Sequence, residues 1–99
     1  MGGGKMAAYV IGHITVKDAE KWAEYRGKVP ASLARWGGEV ILRGRRFAVL
    51  SGEHPHTDTV VIRFPDANAV TNWYGSQAYQ ALIPIREQAA EMVLVAYET

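Results

Sequence analysis

One pattern occurs twice in this chain and limits its fold more than any other feature. An apolar, β-branched run passes through an Asp-Ala pair into an amphipathic stretch, first as "YVIGHITVKDAEKW" (residues 9–22) and again as "TVVIRFPDANAV" (residues 59–70). Asp18 and Asp66 are residues whose side chains cap helix N-termini, so each extended run should end where a helix begins. Two such units, each closed by a further strand, describe a chain that alternates sheet and helix.

The intervening segments fill in the order. Trp22, Tyr25, Val29, Leu33 and Trp36 recur at spacings of three and four, the stripe of a helix with one buried face, and Gly37 and Gly38 stop it. Pro30 falls inside this helix and is expected to kink or split it, because it removes a backbone donor and crowds the preceding turn. "EVILRG" reads as a strand, "FAVLSG" as a short second one, and "TVVIRF" as a third after the turn-rich "EHPHTD". The second helix runs through "ANAVTNWYGSQAY", breaks near Gly75 and Ser76, and resumes in "QALIPIREQA" before the closing strand "EMVLVAYE". The implied fold is α+β: a ferredoxin-like split βαβ arrangement with an antiparallel four-stranded sheet and two helices on one face. Residues 7–98 form one domain, and "MGGGKM" reads as a flexible glycine-rich tail, native or left from expression.

Charge and composition remove several function classes. Lys plus Arg number 11 against 10 Asp plus Glu, with no long run of either sign, so neither nucleic acid nor an anionic membrane is an expected partner. The absence of cysteine rules out disulfides, thiolate chemistry and Cys-based zinc. There is no apolar leader and no run long enough to span a bilayer, which points to a cytoplasmic protein. Dinucleotide, P-loop and Gly-x-Ser-x-Gly signatures are missing as well.

Side chains alternate across a strand, which sorts residues by face. The apolar sets Val10, Gly12, Ile14 and Val16, then Val40, Leu42 and Gly44, then Val60, Ile62 and Phe64 should meet the helices. That assigns Tyr9, His13, Glu39, Arg43, Thr59 and Arg63 to the helix-free face, together with apolar Ile11, Ile41 and Val61. A half-apolar face on so small a sheet is commonly covered by a second copy, so a homodimer through that face is expected. Arginines buried there would need an anion, either Glu39 or another carboxylate or a bound ligand.

Several segments also resemble a known family. "AYVIGHITV", "WGGEVILRG", "VLSGE", "VVIRFPDANAV" and above all "NWYGSQAYQALIPIR" are similar to the small bacterial family called domain of unknown function 1330. The likeness places Trp73, Tyr74, Ser76, Tyr79 and Arg86 at signature positions, with Arg43, Gly44, Gly52 and Glu53 upstream. It implies a dimeric α+β barrel, a superfamily that includes cofactor-free monooxygenases, muconolactone isomerase, haem enzymes and members without known activity. Pro84, Arg63 and His54 depart from the usual pattern.

Two functional readings follow. In the first, His13 is an acid or base and Arg63 a catalytic anion binder, since an imidazole moves protons near neutral pH and a guanidinium stabilises an oxyanion. Tyr9, Tyr25, Arg43 and Glu53 would then hold a small anionic or aromatic substrate together with Tyr74, Ser76, Tyr79 and Arg86, in isomerase, proton-transfer or cofactor-free monooxygenase chemistry. In the second, the dimer is non-catalytic and internal or intersubunit ion pairs satisfy its polar sheet face. His54 and His56 with Glu53 are metal-ligand types, but such a short loop offers too few ligands, so no metal and no cofactor are expected.

Overall fold

The computed structural model describes residues 7–99, so the N-terminal tail lies outside the described residues. The elements run β1 (Ala8–Val16), α1 (Ala19–Leu33), a 3-10 turn (Ala34–Trp36), β2 (Glu39–Arg45), β3 (Asp58–Phe64), α2 (Ala67–Gly75), α3 (Gln77–Gln80), α4 (Ile83–Ala89) and β4 (Ala90–Glu98). Both aspartates cap as their position requires: Asp18 accepts from Lys21 N at 3.1 Å and Asp66 from Ala69 N at 2.8 Å. The strands form one antiparallel sheet in the order β2-β3-β1-β4, the ferredoxin-like arrangement.

Alternation holds without a break in β1 and β3. Ala8, Val10, Gly12 and Ile14 are buried, as are Val60, Ile62 and Phe64, while the residues between them stay partly or fully exposed. Tyr25, Val29 and Leu33 of α1, Trp73 of α2 and Tyr79 of α3 close over that face. Gly38 follows from this packing: a Cβ there would lie 2.7 Å from Leu33 Cδ2 and 2.9 Å from Phe64 Cε2.

Three expectations need correction. α1 runs unbroken through Pro30 and passes into a 3-10 turn only after Leu33. Pro30 and Arg26, whose carbonyl loses its partner, are both exposed, so water can satisfy that oxygen. "FAVLSG" forms no strand. After Arg46 N donates to Thr57 O, residues 47–52 leave the sheet as an arm that exposes Phe47 (96%) and Leu50 (90%).

The third correction moves a functional residue. The β2–β3 register shifts between Val40 and Leu42, so Ile41 is the extra residue of a β-bulge. Val40 opposes Ile62, but beyond the bulge Leu42 opposes Val61 and Arg43 opposes Val60. Directly opposed residues share a face, so Arg43 turns to the helix side and Leu42 to the helix-free side, the reverse of strict alternation.

Candidate functional site

The bulge places Arg43 at the edge of a cleft between α1 and the sheet. Its inner end is an apolar cavity of ≈ 20 Å³ walled by Trp22, Tyr25, Val29, Val60, Met92 and Leu94, with Arg26 and Arg43 also on its lining. Its outer part, ≈ 220 Å³, shares Trp22, Arg26 and Arg43 and adds Arg45, Asp58 and Thr59. Among the described residues the one ion pair within 4.0 Å is Lys28–Glu24, so neither arginine has a carboxylate that close. Burial first, and then Arg26, hold the Arg43 guanidinium below its ordinary pKa, while Tyr25 opposes that shift.

A chain of buried hydrogen bonds leads away from the cleft. Tyr25 Oη lies 2.8 Å from Tyr79 Oη, and Arg86 Nη1 donates to Tyr79 Oη at 2.9 Å. Burial, reinforced by Tyr79, raises the Tyr25 pKa well above that of a free phenol. Burial alone would lower the pKa of Arg86, but acceptance by Tyr79 and then Tyr74, with a favourable charge interaction from Tyr25, outweighs it and leaves the pKa raised. Trp73 Nε1 donates to Ser32 Oγ at 3.0 Å, and Ser32 Oγ donates to Val29 O at 2.7 Å. Ser76 has a local role. It donates to Trp73 O at 2.6 Å, and its Oγ accepts from Tyr79 N at 3.2 Å, which caps α3. Tyr74, in α2, is 40% exposed, and Glu53, just after the arm, is exposed.

The opposite face of the sheet gathers every histidine of the chain. The rings of His13 and His54 meet edge-on with centroids 4.8 Å apart, and those of His54 and His56 are 5.9 Å apart. Thr59 Oγ1 is hydrogen-bonded to His13 Nδ1 at 3.4 Å and Thr15 Oγ1 to His56 Nδ1 at 2.9 Å. Arg46 Nη1 fixes this end of the arm by donating to His54 O at 2.7 Å. Burial, then His54 and His56, lower the pKa of His13. Among the described residues no group of three His, Asp or Glu side chains is arranged to hold a metal ion.

The sequence-derived residues therefore separate into two sets. Tyr25, Arg43, Tyr79 and Arg86 come together at or behind the cleft, whereas Tyr9, His13 and Arg63 occupy the helix-free face. His13 opposes Thr59, and Arg63 lies four residues further along β3, about 13 Å away at strand rise. Sequence reasoning did not single out Arg26 or the contact of His54 with His13. The i, i+4 spacing of Trp22 and Arg26 on α1 was the available signal for Arg26.

The profile of the family described as Domain of unknown function (DUF1330) matches residues 7–99. The chain belongs to this family. No match was found among curated proteins. Among solved structures, a protein of unknown function from Rhodopseudomonas palustris superposes with a TM-score of 0.82 at 16% identity, covering 97% of this chain and 84% of that one. A dimeric ferredoxin-like protein of unknown function from Jannaschia sp. gives 0.76 at 10% identity, over 94% of this chain and 99% of its own. SnoaB, a cofactor-independent oxygenase from Streptomyces nogalater, gives 0.63 at 12% identity, over 95% and 92%. At these identities the likeness is one of fold, and function does not follow from fold alone. Among the described residues no helix is long and apolar enough to cross a membrane.

Proposed function

We propose that this DUF1330 protein is a homodimer that binds a small anionic molecule with an apolar body in the cleft between α1 and β2. The observation that carries the reading is the pair Arg26 and Arg43, which share the cleft mouth with no carboxylate within 4.0 Å. Like charges held together in a partly desolvated site are unfavourable, and an anion placed between them relieves both repulsion and desolvation. The apolar body of the ligand lies against Trp22 and points toward Met92 and Leu94, which suits a planar or branched carboxylate or enolate.

Pairing of two sheets accounts for the other face. Leu42, Val93 and Tyr97 are 53, 48 and 52% exposed there, with Val95 between the last two on the same side. An apolar strip of this kind fits isologous burial against a second copy. A second reading, proton transfer by His13 with Arg63, belongs to this intersubunit space. It is favoured by the lowered pKa of His13, which leaves a neutral base available, and it requires the partner subunit to shorten the distance between the two residues.

Thermal stability in the presence of benzoate, phenylacetate or sulfate tests the cleft. Benzoate or phenylacetate should raise the Tm of the native protein and leave Arg43→Gln and Arg26→Gln unshifted. An equal shift in both variants, or none in the native protein, overturns the reading.

A further inference from the structure

The three imidazoles on the helix-free face form a cluster that no acid of the protomer neutralises. His13 and His54 meet edge-on at 4.8 Å, His54 and His56 at 5.9 Å, and all three are half-buried. Among the described residues the one ion pair within 4.0 Å is Lys28–Glu24, so no carboxylate comes that close to any of these rings. The charged group that does reach the cluster is a cation: Arg46 Nη1 donates to His54 O at 2.7 Å and to His56 O at 3.3 Å. The remaining charged and titratable groups of that face stand further off or in water. On β1, Tyr9 lies four residues before His13, and on β3, Arg63 lies four residues beyond Thr59, opposite Glu39 of β2. On β4, Glu91 opposes Thr15 and is exposed, as are Glu53, next to His54 in the chain, and Lys17, two residues past Thr15. Thr59 Oγ1 and Thr15 Oγ1 meet Nδ1 of His13 and His56, and a hydroxyl serves a neutral or a protonated ring equally, so these contacts do not fix the charge.

Self-association covers the same surface. Val93, directly opposite His13, is 48% exposed and belongs to the apolar strip with Val95 and Tyr97, so a second copy that buries the strip also removes water from the rings beside it. Neutral imidazoles tolerate this. Imidazolium groups do not, because each would lose hydration next to like charges and without an anion. We propose that His13, His54 and His56 form a pH-sensitive latch of the homodimer, which lets the two helix-free faces pair while the rings are neutral and separates them when the rings are protonated. The inference rests on the homodimer reading above and is independent of the cleft. Burial, then His54 and His56, already lower the pKa of His13 within one protomer, the direction that pairing extends. A face that sheds protons on association pairs more weakly as pH falls through the imidazole range, near pH 6.5, and each proton shed per dimer raises Kd about tenfold per pH unit.

Sedimentation at constant ionic strength tests this, over the pH range in which far-UV circular dichroism shows the chain unchanged. Between about pH 7.5 and 5.5 the dimer Kd of the native protein should rise at least about tenfold. His54→Gln, which removes the central ring, should still pair at the higher pH and show a rise of no more than about threefold. Linkage is reciprocal, so in the native protein the histidine ring pKa values followed by NMR should rise when dilution converts dimer to monomer. That second readout decides the matter if His54→Gln fails to pair at all. A Kd that does not change with pH, a rise retained in full by His13→Gln, His54→Gln and His56→Gln alike, or ring pKa values unaffected by dilution overturns the latch and leaves the homodimer standing. A monomer at both pH values overturns the latch and the homodimer together.

Discussion

Tyr79→Phe is the substitution that most directly probes how the core and the cleft depend on each other. It keeps the ring contacts with Trp73 and Tyr74, whose centroids lie 4.3 and 5.3 Å away, and removes only the hydroxyl that joins Arg86 to Tyr25. A neutral hydrogen bond contributes about 1 kcal/mol and one from a charged donor about 1.5–3. Arg86 is only partly buried and can recover some hydration, so its share belongs at the lower end of that range. The expected loss is about 2–3 kcal/mol, a fall of roughly 10–20 °C in Tm for a domain of this size. Urea unfolding at fixed protein concentration measures it, since the stability of a dimer depends on concentration. Tyr25→Phe alone should cost about 1–3 kcal/mol, because it leaves the buried Tyr79 hydroxyl without that partner. In the Tyr79→Phe background that hydroxyl is already gone, so adding Tyr25→Phe should cost little, and the cycle should return a coupling of about 1 kcal/mol or more. A Tyr79→Phe loss below about 0.5 kcal/mol, or strict additivity in the cycle, refutes the hydrogen-bond chain as an energetic unit.

Two further outcomes follow from the other face of the sheet. The pKa of His13 is lowered from 6.5 by burial, His54 and His56. A base depressed in the folded state binds fewer protons there than in the unfolded chain, so its contribution is complete above about pH 6.5 and is lost as pH falls through the lowered value. The urea midpoint should therefore drop on acidification below that pH and drop less in His13→Gln, whereas a midpoint that holds or rises contradicts the sign. Val93→Glu introduces a charge opposite His13 on the exposed strip and should yield a monomer by light scattering at micromolar concentration; a dimer of unchanged affinity would place the interface elsewhere.

The parts of this fold that were legible in the sequence are those set by local chemistry. Asp18 and Asp66 cap as aspartates do, and β1 and β3 have an uninterrupted period of two, so their faces could be assigned residue by residue. β2 could not be read in the same way. Strict alternation in "EVILRGR" puts Val40, Leu42 and Gly44 on the helix side, and the extra residue at Ile41 that reverses the phase beyond it is fixed by pairing with β3, a contact between distant parts of the chain. The arm shows the complementary failure. "FAVLSG" has strand-forming residues, but it does not fold back onto the open edge of β2, and β3 already has a neighbour on each side. Pro30 was tolerated because it and Arg26, whose carbonyl loses its partner, are both exposed, and exposure depends on tertiary structure rather than on the residue itself.

The bulge also separates the two chemistries that sequence alone had combined. With strict alternation, Arg43 would join His13 and Arg63 on one face, and the chain would look like a single site with a base and two anion binders. One additional residue in β2 sends Arg43 through the sheet to join Arg26 and the Tyr25–Tyr79–Arg86 chain, and it brings Leu42 to the helix-free face. Both exchanges favour the proposed division of labour. The helix-side cleft gains a cation where an anion would be held, and the opposite face gains an apolar residue where a partner would pack. Deleting Ile41 removes the extra residue but leaves Leu42 opposite Val61 and Arg43 opposite Val60, so carboxylate binding and self-association should both survive in that variant, and a joint loss would refute this assignment of faces.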